Sequence, residues 1–299
     1  MARTQQDAFP AAPSLGRRRL RSFRVPVLVV ALLAVMVAAG GINRLVAPVP
    51  VLALAVGLAL AGAGLACYHW LSKTVELRTS IPELAKQGRW SQLGRGALIG
   101  FAAFTSMMLL IAVLGGWEGL AWGSFGGFVA TAGMMAGVAV TEEVLFRGVV
   151  FRILEERTGT VLALVLSSVL FGAIHLVNVN ATLWGTLSIA MTGGVMLAAA
   201  YVATRSLWLP IGLHFAWNFT HAGIFGVVIS GSDTPPHGLL SATLSGPVLL
   251  TGGTFGPEAS LTALLVCLVP IVLLLRKAAR DGRILPRPRR AKAAAEREG

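Results

Sequence analysis

The feature that most constrains this 299-residue chain is a series of long apolar runs. A helix needs about 20 consecutive apolar residues to cross a hydrocarbon core of about 30 Å, and these runs have about that length. They lack the alternation of apolar and polar residues that is typical of a barrel strand. We therefore predict an all-α polytopic membrane protein with about eight transmembrane helices, near residues 26–46, 48–71, 97–116, 124–150, 160–177, 181–204, 207–230 and 259–275.

The composition supports this fold class. Hydrophobic residues make up 55% of the chain and charged residues 13%, which leaves too little polar surface for a water-soluble globule. We divide the chain into six segments. They are a basic N-terminal tail at 1–25, N-terminal transmembrane helices at 26–123 with a cytoplasmic loop at 72–95, a core at 124–230, an extracytoplasmic loop at 231–258, a last transmembrane helix at 259–275 and a basic C-terminal tail at 276–299.

The distribution of the net charge of +12 predicts the membrane topology. Most basic residues fall in segments 1–25, 72–95 and 276–299, whereas loop 231–258 contains no Lys or Arg. With eight spans the three basic segments lie on one side, and cytoplasmic loops are enriched in Lys and Arg. We expect cytoplasmic termini, contact of the basic tails with membrane lipid, location in the plasma membrane, and no binding of nucleic acid.

Polar residues inside the apolar runs form three motifs. They are Glu142-Glu143-x-x-x-Arg147 in the fourth run, Phe171-x-x-x-His175 in the fifth, and His214-x-x-x-Asn218 in the seventh. Polar and ionisable groups within a membrane are costly, and they usually face a cavity or one another. The motifs therefore predict a polar, catalytic cavity between spans four, five and seven.

Helical spacing predicts different surroundings for the two glutamates. Glu143 and Arg147 are four residues apart, so they share a helix face and can form an ion pair. Glu142 points away from Arg147 and is expected to face the cavity. A turn near Thr158 makes spans four and five an antiparallel hairpin, which places Glu142 opposite His175, in the cytoplasmic half of the membrane or near its middle.

A buried cluster of one carboxylate, two imidazoles and one carboxamide has the chemistry that amide hydrolysis requires. It offers a base for a water molecule, a group to orient that water, and donors for an oxyanion. Glu142, His175 and His214 could instead hold a divalent metal such as zinc, since imidazole and carboxylate are ordinary zinc ligands. Serine and cysteine routes are less favoured, because there is no Gly-x-Ser-x-Gly motif and neither Cys67 nor Cys267 lies near the cluster.

The order and spacing of the three motifs resemble the CAAX-processing and bacteriocin-processing (CPBP) intramembrane protease family over roughly residues 124–225, so we expect segment 124–230 to be a protease core. The resemblance implies roles for six residues: water activation by Glu142 with His175 as its partner, oxyanion stabilisation by His214 and Asn218, and support of the site by Glu143 and Arg147. Members of this family are described both as metalloproteases and as glutamate-dependent proteases, and the sequence leaves both mechanisms open.

The leading functional hypothesis is a CAAX-protease-like intramembrane endopeptidase that cleaves peptides or membrane-anchored proteins near the cytoplasmic face. Two alternatives use the same cavity. One is a non-catalytic bacteriocin-immunity or scaffold protein that binds a peptide, and the less favoured one is a proton-coupled transporter. The complete set of motif residues favours catalysis. His221 lies on a similar helix face to His214 but is left outside the site, because the sequence shows no partner for it.

Overall fold

The structure is a computed structural model that describes residues 23–233 and 237–287, so most of the predicted basic N-terminal tail and the last part of the C-terminal tail lie outside the described residues. The longer helices are numbered in chain order. They are α1 Arg24–Val46, α2 Pro50–Thr74, α3 Arg89–Val113, α4 Phe125–Leu145, α5 Arg152–Thr158, α6 Thr160–Ala173, α7 Leu183–Ile189, α8 Val195–Thr204, α9 Trp208–Asn218 and α10 Leu261–Arg280. The two short strands are β1 Trp117–Trp122 and β2 Leu240–Leu244.

Irregular helical turns join or extend several of these helices. They are the π-helical turns Phe146–Phe151 between α4 and α5, Ala190–Gly194 between α7 and α8, and Phe219–Ile224 after α9, with the 3₁₀ turn Ile174–Val177 after α6. A π turn adds a residue to the helix and rotates the side chains that follow, and such turns are frequent at functional sites. Through the first of them, α4 and α5 form one 34-residue helix, which extends beyond the predicted end of span four at residue 150.

Within the described residues, seven helices are long and apolar enough to cross a membrane. They are Arg24–Val46, Pro50–Thr74, Arg89–Val113, Phe125–Thr158, Thr160–Val177, Leu183–Thr204 and Leu261–Arg280. The predicted all-α polytopic fold is confirmed. The remaining predicted span, 207–230, is shorter than expected, because it consists of the 11-residue helix α9 and a 6-residue π turn.

Glycines let two pairs of helices pack backbone against backbone. A Cβ atom added to Gly57 of α2 would lie 2.1 Å from the carbonyl oxygen of Gly133 in α4. A Cβ atom on Gly96 of α3 would lie 2.2 Å from the carbonyl oxygen of Leu209 in α9. No larger residue fits at these contacts, so small residues fix the positions of α4 and α9, which carry two of the three motifs.

The two ends of the helix bundle differ. The basic end comprises the starts of α1 and α3, the α5–α6 turn and the end of α10. The loop end comprises the α1–α2 turn, the loop after α6 and the described residues of segment 225–260. At the loop end β1 and β2 pair antiparallel, with Trp117 opposite Leu244 and Trp122 opposite Leu240. The predicted extracytoplasmic loop 231–258 therefore contains a strand and folds back over the helix ends.

Candidate active site

The last turns of α4 carry both glutamates of the first motif. Arg147 follows in the π turn Phe146–Phe151, and its Nη1 atom donates a hydrogen bond to Oε1 of Glu143 at 2.8 Å. Both side chains are almost completely buried, with 2% of Arg147 and 0% of Glu143 exposed. The predicted ion pair is confirmed, and the pairing offsets part of the cost of burying the two charges.

Further contacts hold the guanidinium of Arg147 in place. Its Nη2 atom donates to the carbonyl oxygen of Gly194 at 3.0 Å, in the π turn between α7 and α8. Its Cζ atom lies 4.5 Å from the centroid of the Phe171 ring, a distance at which a cation is attracted to an aromatic face. Arg147 therefore links α4 to α6 and to the α7–α8 segment.

Glu143 also holds the imidazole of His214, which lies on α9. The Nδ1 atom of His214 is 2.9 Å from Oε1 of Glu143. A carboxylate accepts hydrogen bonds, so Nδ1 carries the hydrogen and the second nitrogen is free to face elsewhere. That nitrogen, Nε2, lies 3.9 Å from Oε2 of Glu142. Glu143 thus orients His214 as well as pairing with Arg147.

Glu142 faces the cavity, as its spacing from Arg147 predicts. Its Oε2 atom is buried and has no hydrogen-bond partner among the described residues. Leaving a buried acceptor unpaired costs free energy, so this oxygen keeps an unused capacity to accept a hydrogen bond or a proton.

His175 lies in the 3₁₀ turn at the end of α6. Its Nδ1 atom is 2.9 Å from the carbonyl oxygen of Phe171, which can only accept, so Nδ1 donates and Nε2 remains free to accept. The expected pairing of His175 with Glu142 is not a direct contact, since the imidazole found within 4.0 Å of Glu142 is that of His214. The hairpin argument fixes depth only, and the 3₁₀ turn changes the rotation of His175 about the helix axis.

The Phe171 ring packs between the charged and imidazole groups. Its centroid lies 5.3 Å from that of His175 and 5.9 Å from that of His214, both in edge-on geometry. Because the same ring contacts the guanidinium of Arg147, Phe171 restricts the rotation of all three side chains.

A cavity of about 580 Å³ has all four predicted catalytic residues in its wall: Glu142, His175, His214 and Asn218. Asn218 is the last residue of α9, one helical turn after His214, and is 7% exposed. Glu143 and Arg147 are not part of the wall and lie behind it. The structure therefore brings residues of all three motifs together around one cavity.

The cavity extends beyond the predicted space between spans four, five and seven. Other elements contribute to its wall, including Met36 and Asn43 of α1 and Thr192 of the α7–α8 π turn. Toward the loop end the wall includes Pro48, Ser124, Asn178 and Ser230, and none of the described wall residues lies at the basic end. The cavity therefore leads to the loop end of the helices, and the side of the membrane on which cleavage would take place depends on the predicted orientation of the termini.

Sequence reasoning missed two polar wall residues. Glu258, just before α10, accepts hydrogen bonds from Nε1 of Trp217 at 2.7 Å and from Oγ of Ser230 at 2.6 Å. Asn43 of α1 is 2% exposed, and neither its Nδ2 nor its Oδ1 atom has a partner among the described residues. The available signals were an amide inside the first apolar run and an acid directly before the last one.

His221 has partners, contrary to the sequence-based expectation. Its Nε2 atom lies 2.7 Å from the carbonyl oxygen of Val228, and its Nδ1 atom lies 3.9 Å from Oε1 of Glu258. The side chain is completely buried and is not part of the cavity wall. Its contacts hold the loop after α9 against the helices. Helical spacing could not predict them, because the partners lie outside the helix that carries His221.

The predicted alternative of a metal site does not fit the geometry. The described residues contain no group of three or more His, Cys, Asp or Glu side chains arranged to hold a metal ion. Glu142 approaches His214, but His175 does not join them as a third ligand. The donor set therefore gives no basis for a reaction step through a metal.

Comparisons with known proteins place the three motifs in one domain. Residues 122–220 match the family model described as "Type II CAAX prenyl endopeptidase Rce1-like". The curated protein "Putative membrane peptidase YdiL" of Bacillus subtilis (strain 168) is 32% identical over 79 residues, which are 26% of this chain and 30% of YdiL. The matched part is thus under a third of the length of YdiL. No solved structure matches the chain significantly. Residues 122–220 are thus similar to the Rce1-like CAAX prenyl endopeptidase family, which confirms the resemblance carried by the three motifs.

Proposed function

We propose that this protein is an intramembrane endopeptidase that hydrolyses peptide bonds of membrane-associated peptides or proteins with a water molecule activated by Glu142. The observation that carries the proposal is the unpaired, buried Oε2 atom of Glu142 in the cavity wall, 3.9 Å from Nε2 of His214. A buried carboxylate with a free oxygen beside an oriented imidazole is suited to general base catalysis.

The first step uses Glu142 and His175. Both line the cavity without a direct contact between them, and each offers an acceptor: Oε2 of Glu142 and Nε2 of His175. A water molecule between them donates one hydrogen to each. Glu142 takes its proton while the water oxygen bonds to the carbonyl carbon of the substrate.

The second step uses His214 and Asn218. The oxygen of the attacked carbonyl becomes negatively charged, and the carboxamide of Asn218 and a protonated Nε2 of His214 donate hydrogen bonds to it. The intermediate then collapses: the carbon–nitrogen bond breaks, and Glu142 returns its proton to the leaving amine, which yields a carboxylic acid and an amine.

The surroundings of the cavity favour a hydrophobic substrate. Much of the remaining wall is apolar, including Met134, Met135, Val138, Met196 and Leu197. Apolar walls exclude bulk water and strengthen the electrostatic interactions of the reacting groups. The proposed partners are therefore membrane lipid around the helices and a hydrophobic peptide segment that enters from the loop end.

A comparison of the wild type with Glu142→Gln in detergent tests the proposal. The substitution keeps the shape of the side chain but removes the basic oxygen, so cleavage of fluorogenic hydrophobic peptides should be lost while folding and peptide binding persist. Glu118→Gln on the exposed strand β1 is the matched control and should cleave normally. Equal rates for the wild type and Glu142→Gln would reject the mechanism, and peptide binding by a wild type that cleaves nothing would favour a scaffold.

A further inference from the structure

Asn43 is a polar side chain in the cavity wall without a hydrogen-bond partner. It lies in the last turn of α1, outside the matched segment 122–220, and is 2% exposed. Both Nδ2 and Oδ1 are buried, and neither bonds to another described residue. Buried carboxamides are almost always hydrogen-bonded, so an unpaired one in a cavity wall indicates that its partner is a molecule that binds there.

The distance between Asn43 and Glu142 along the cavity follows from the contact of Asn43 with α4. A Cβ atom added to Gly137 would lie 3.3 Å from Nδ2 of Asn43, so the carboxamide packs beside Gly137. Gly137 precedes Glu142 by five residues, which corresponds to about 7.5 Å of helix rise. An extended peptide covers that distance with about two residues, at about 3.3 Å per residue. Asn43 lies toward the loop end, from which the cavity is reached.

The chemistry of the carboxamide identifies the group that it can bind. One side chain offers an N–H donor and a C=O acceptor in a single plane. The backbone of an extended peptide presents the complementary pair, a C=O acceptor and an N–H donor. A lipid chain offers neither group, and a carboxylate or phosphate would use only the donor.

We propose that Asn43 is a substrate-binding residue that holds the backbone of an extended peptide about two residues from the bond attacked by the water on Glu142. This proposal rests on the proposed peptidase function for its substrate class. Asn43 would thus be a peptide-binding residue that α1 supplies from outside the matched segment 122–220. Pairing with the peptide backbone makes the interaction independent of substrate side chains.

The test measures binding separately from cleavage. A fluorescent hydrophobic peptide is titrated against purified Glu142→Gln protein with and without Asn43→Leu, and the fluorescence anisotropy gives Kd. Asn43→Leu keeps the branched shape of the side chain without its polar groups and should raise Kd about tenfold, because two hydrogen bonds are lost. A series of peptides, each with one N-methylated backbone nitrogen, locates the contact. One N-methylation should weaken binding to the Asn43 protein and have no further effect on Asn43→Leu.

Controls separate binding from folding. Ile42→Leu, at the neighbouring exposed position on α1, should leave Kd unchanged. Asn43→Leu should not lower the thermal unfolding temperature, because it replaces an unpaired buried group by an apolar one. With Glu142 intact, Asn43→Leu should raise KM and leave kcat nearly unchanged.

The outcomes distinguish this proposal from the proposed function. Equal Kd values for the Asn43 and Asn43→Leu proteins would overturn the role of Asn43 even if the wild type cleaves peptides. A protein that binds the peptide through Asn43 but does not cleave it would support the role and reject the peptidase. Loss of folded protein on both Asn43→Leu and the smaller Asn43→Ala would also overturn the proposal, since it would show that the carboxamide is needed for structure.

Discussion

The Oε1 atom of Glu143 lies 2.9 Å from Nδ1 of His214, although the two residues are 71 positions apart in the chain. This contact fixes which imidazole nitrogen faces the cavity. The same oxygen accepts a hydrogen bond from Arg147, so a single buried carboxylate joins the support of the site to one of its proposed catalytic groups. Changes at Arg147 and at the cavity wall should therefore have different consequences.

Replacing the buried Arg147 with methionine should lower the stability of the folded protein. Glu143 would keep a buried negative charge without its cation, and breaking a buried ion pair costs about 3–5 kcal/mol. Folded yield and thermal unfolding temperature in detergent should fall together with activity. Arg157→Met, at a basic residue near the end of α5, serves as the control. Unchanged stability and proteolysis in Arg147→Met would contradict the ion-pair interpretation.

Asn218→Ala should act on the reaction rather than on the fold. Loss of one donor to the oxyanion should lower kcat by about 10²–10³-fold, or roughly 2.7–4 kcal/mol of transition-state stabilisation. KM should change little, because the interaction forms only in the transition state. Steady-state kinetics with a cleavable peptide measure both constants, with Asn180→Ala outside the cavity as the control. A rise in KM at constant kcat would instead make Asn218 a substrate-binding residue.

Local spacing was sufficient to predict part of the site. The Glu143–Arg147 pair follows from a separation of four residues in a helix, and the grouping of the three motifs around one cavity follows from the cost of polar groups in a membrane. Apolar run length gave the spans, apart from the shortened segment at α9. These features depend on neighbouring residues or on the membrane itself, so the sequence contains them directly.

The direction in which each side chain points around its helix, and the contacts between helices, could not be predicted in this way. The π turn Phe146–Phe151 and the 3₁₀ turn Ile174–Val177 rotate side chains relative to regular helices, so equal depth did not bring Glu142 into contact with His175. Asn43 reaches the cavity because α1 packs against α4. A single amide in an apolar run does not indicate which other helix it will face. The pairing of His221 with Glu258 likewise depends on how segment 225–260 folds back.

Glu83, in the loop between α2 and α3, predicts how stability depends on pH. Burial raises the pKa of its carboxyl, but hydrogen bonds from Arg78 and Tyr68 outweigh burial and hold the pKa below its usual range. The Nη2 atom of Arg78 donates to Oε2 of Glu83 at 2.8 Å. A carboxyl with a lowered pKa in the folded state contributes stability above its unfolded pKa of about 4.3, and that stability is lost as the pH falls through the folded-state pKa.

Thermal unfolding of the wild type and Glu83→Gln between roughly pH 6 and pH 3, a range that extends below the unfolded pKa, measures this effect. The unfolding temperature of the wild type should fall more steeply with decreasing pH, because only the wild type loses a paired carboxylate. Glu83→Gln should be less stable near neutral pH and less sensitive to acid. Parallel curves for the two proteins would show that Glu83 contributes no pH-dependent stability.

The membrane orientation decides from which side the substrate reaches the cavity. The excess of Lys and Arg at the basic end predicts that this end is cytoplasmic, which places the loop end outside the cytoplasm.

Single cysteines on the two ends test this orientation: Ser245→Cys at the loop end and Lys86→Cys at the basic end, both at exposed positions. In intact cells a membrane-impermeant maleimide should label Ser245→Cys and not Lys86→Cys. Parent protein with only Cys67 and Cys267, which lie inside spans, is the background control. The reverse labelling pattern would invert the protein in the membrane and make the cavity accessible to cytoplasmic substrates.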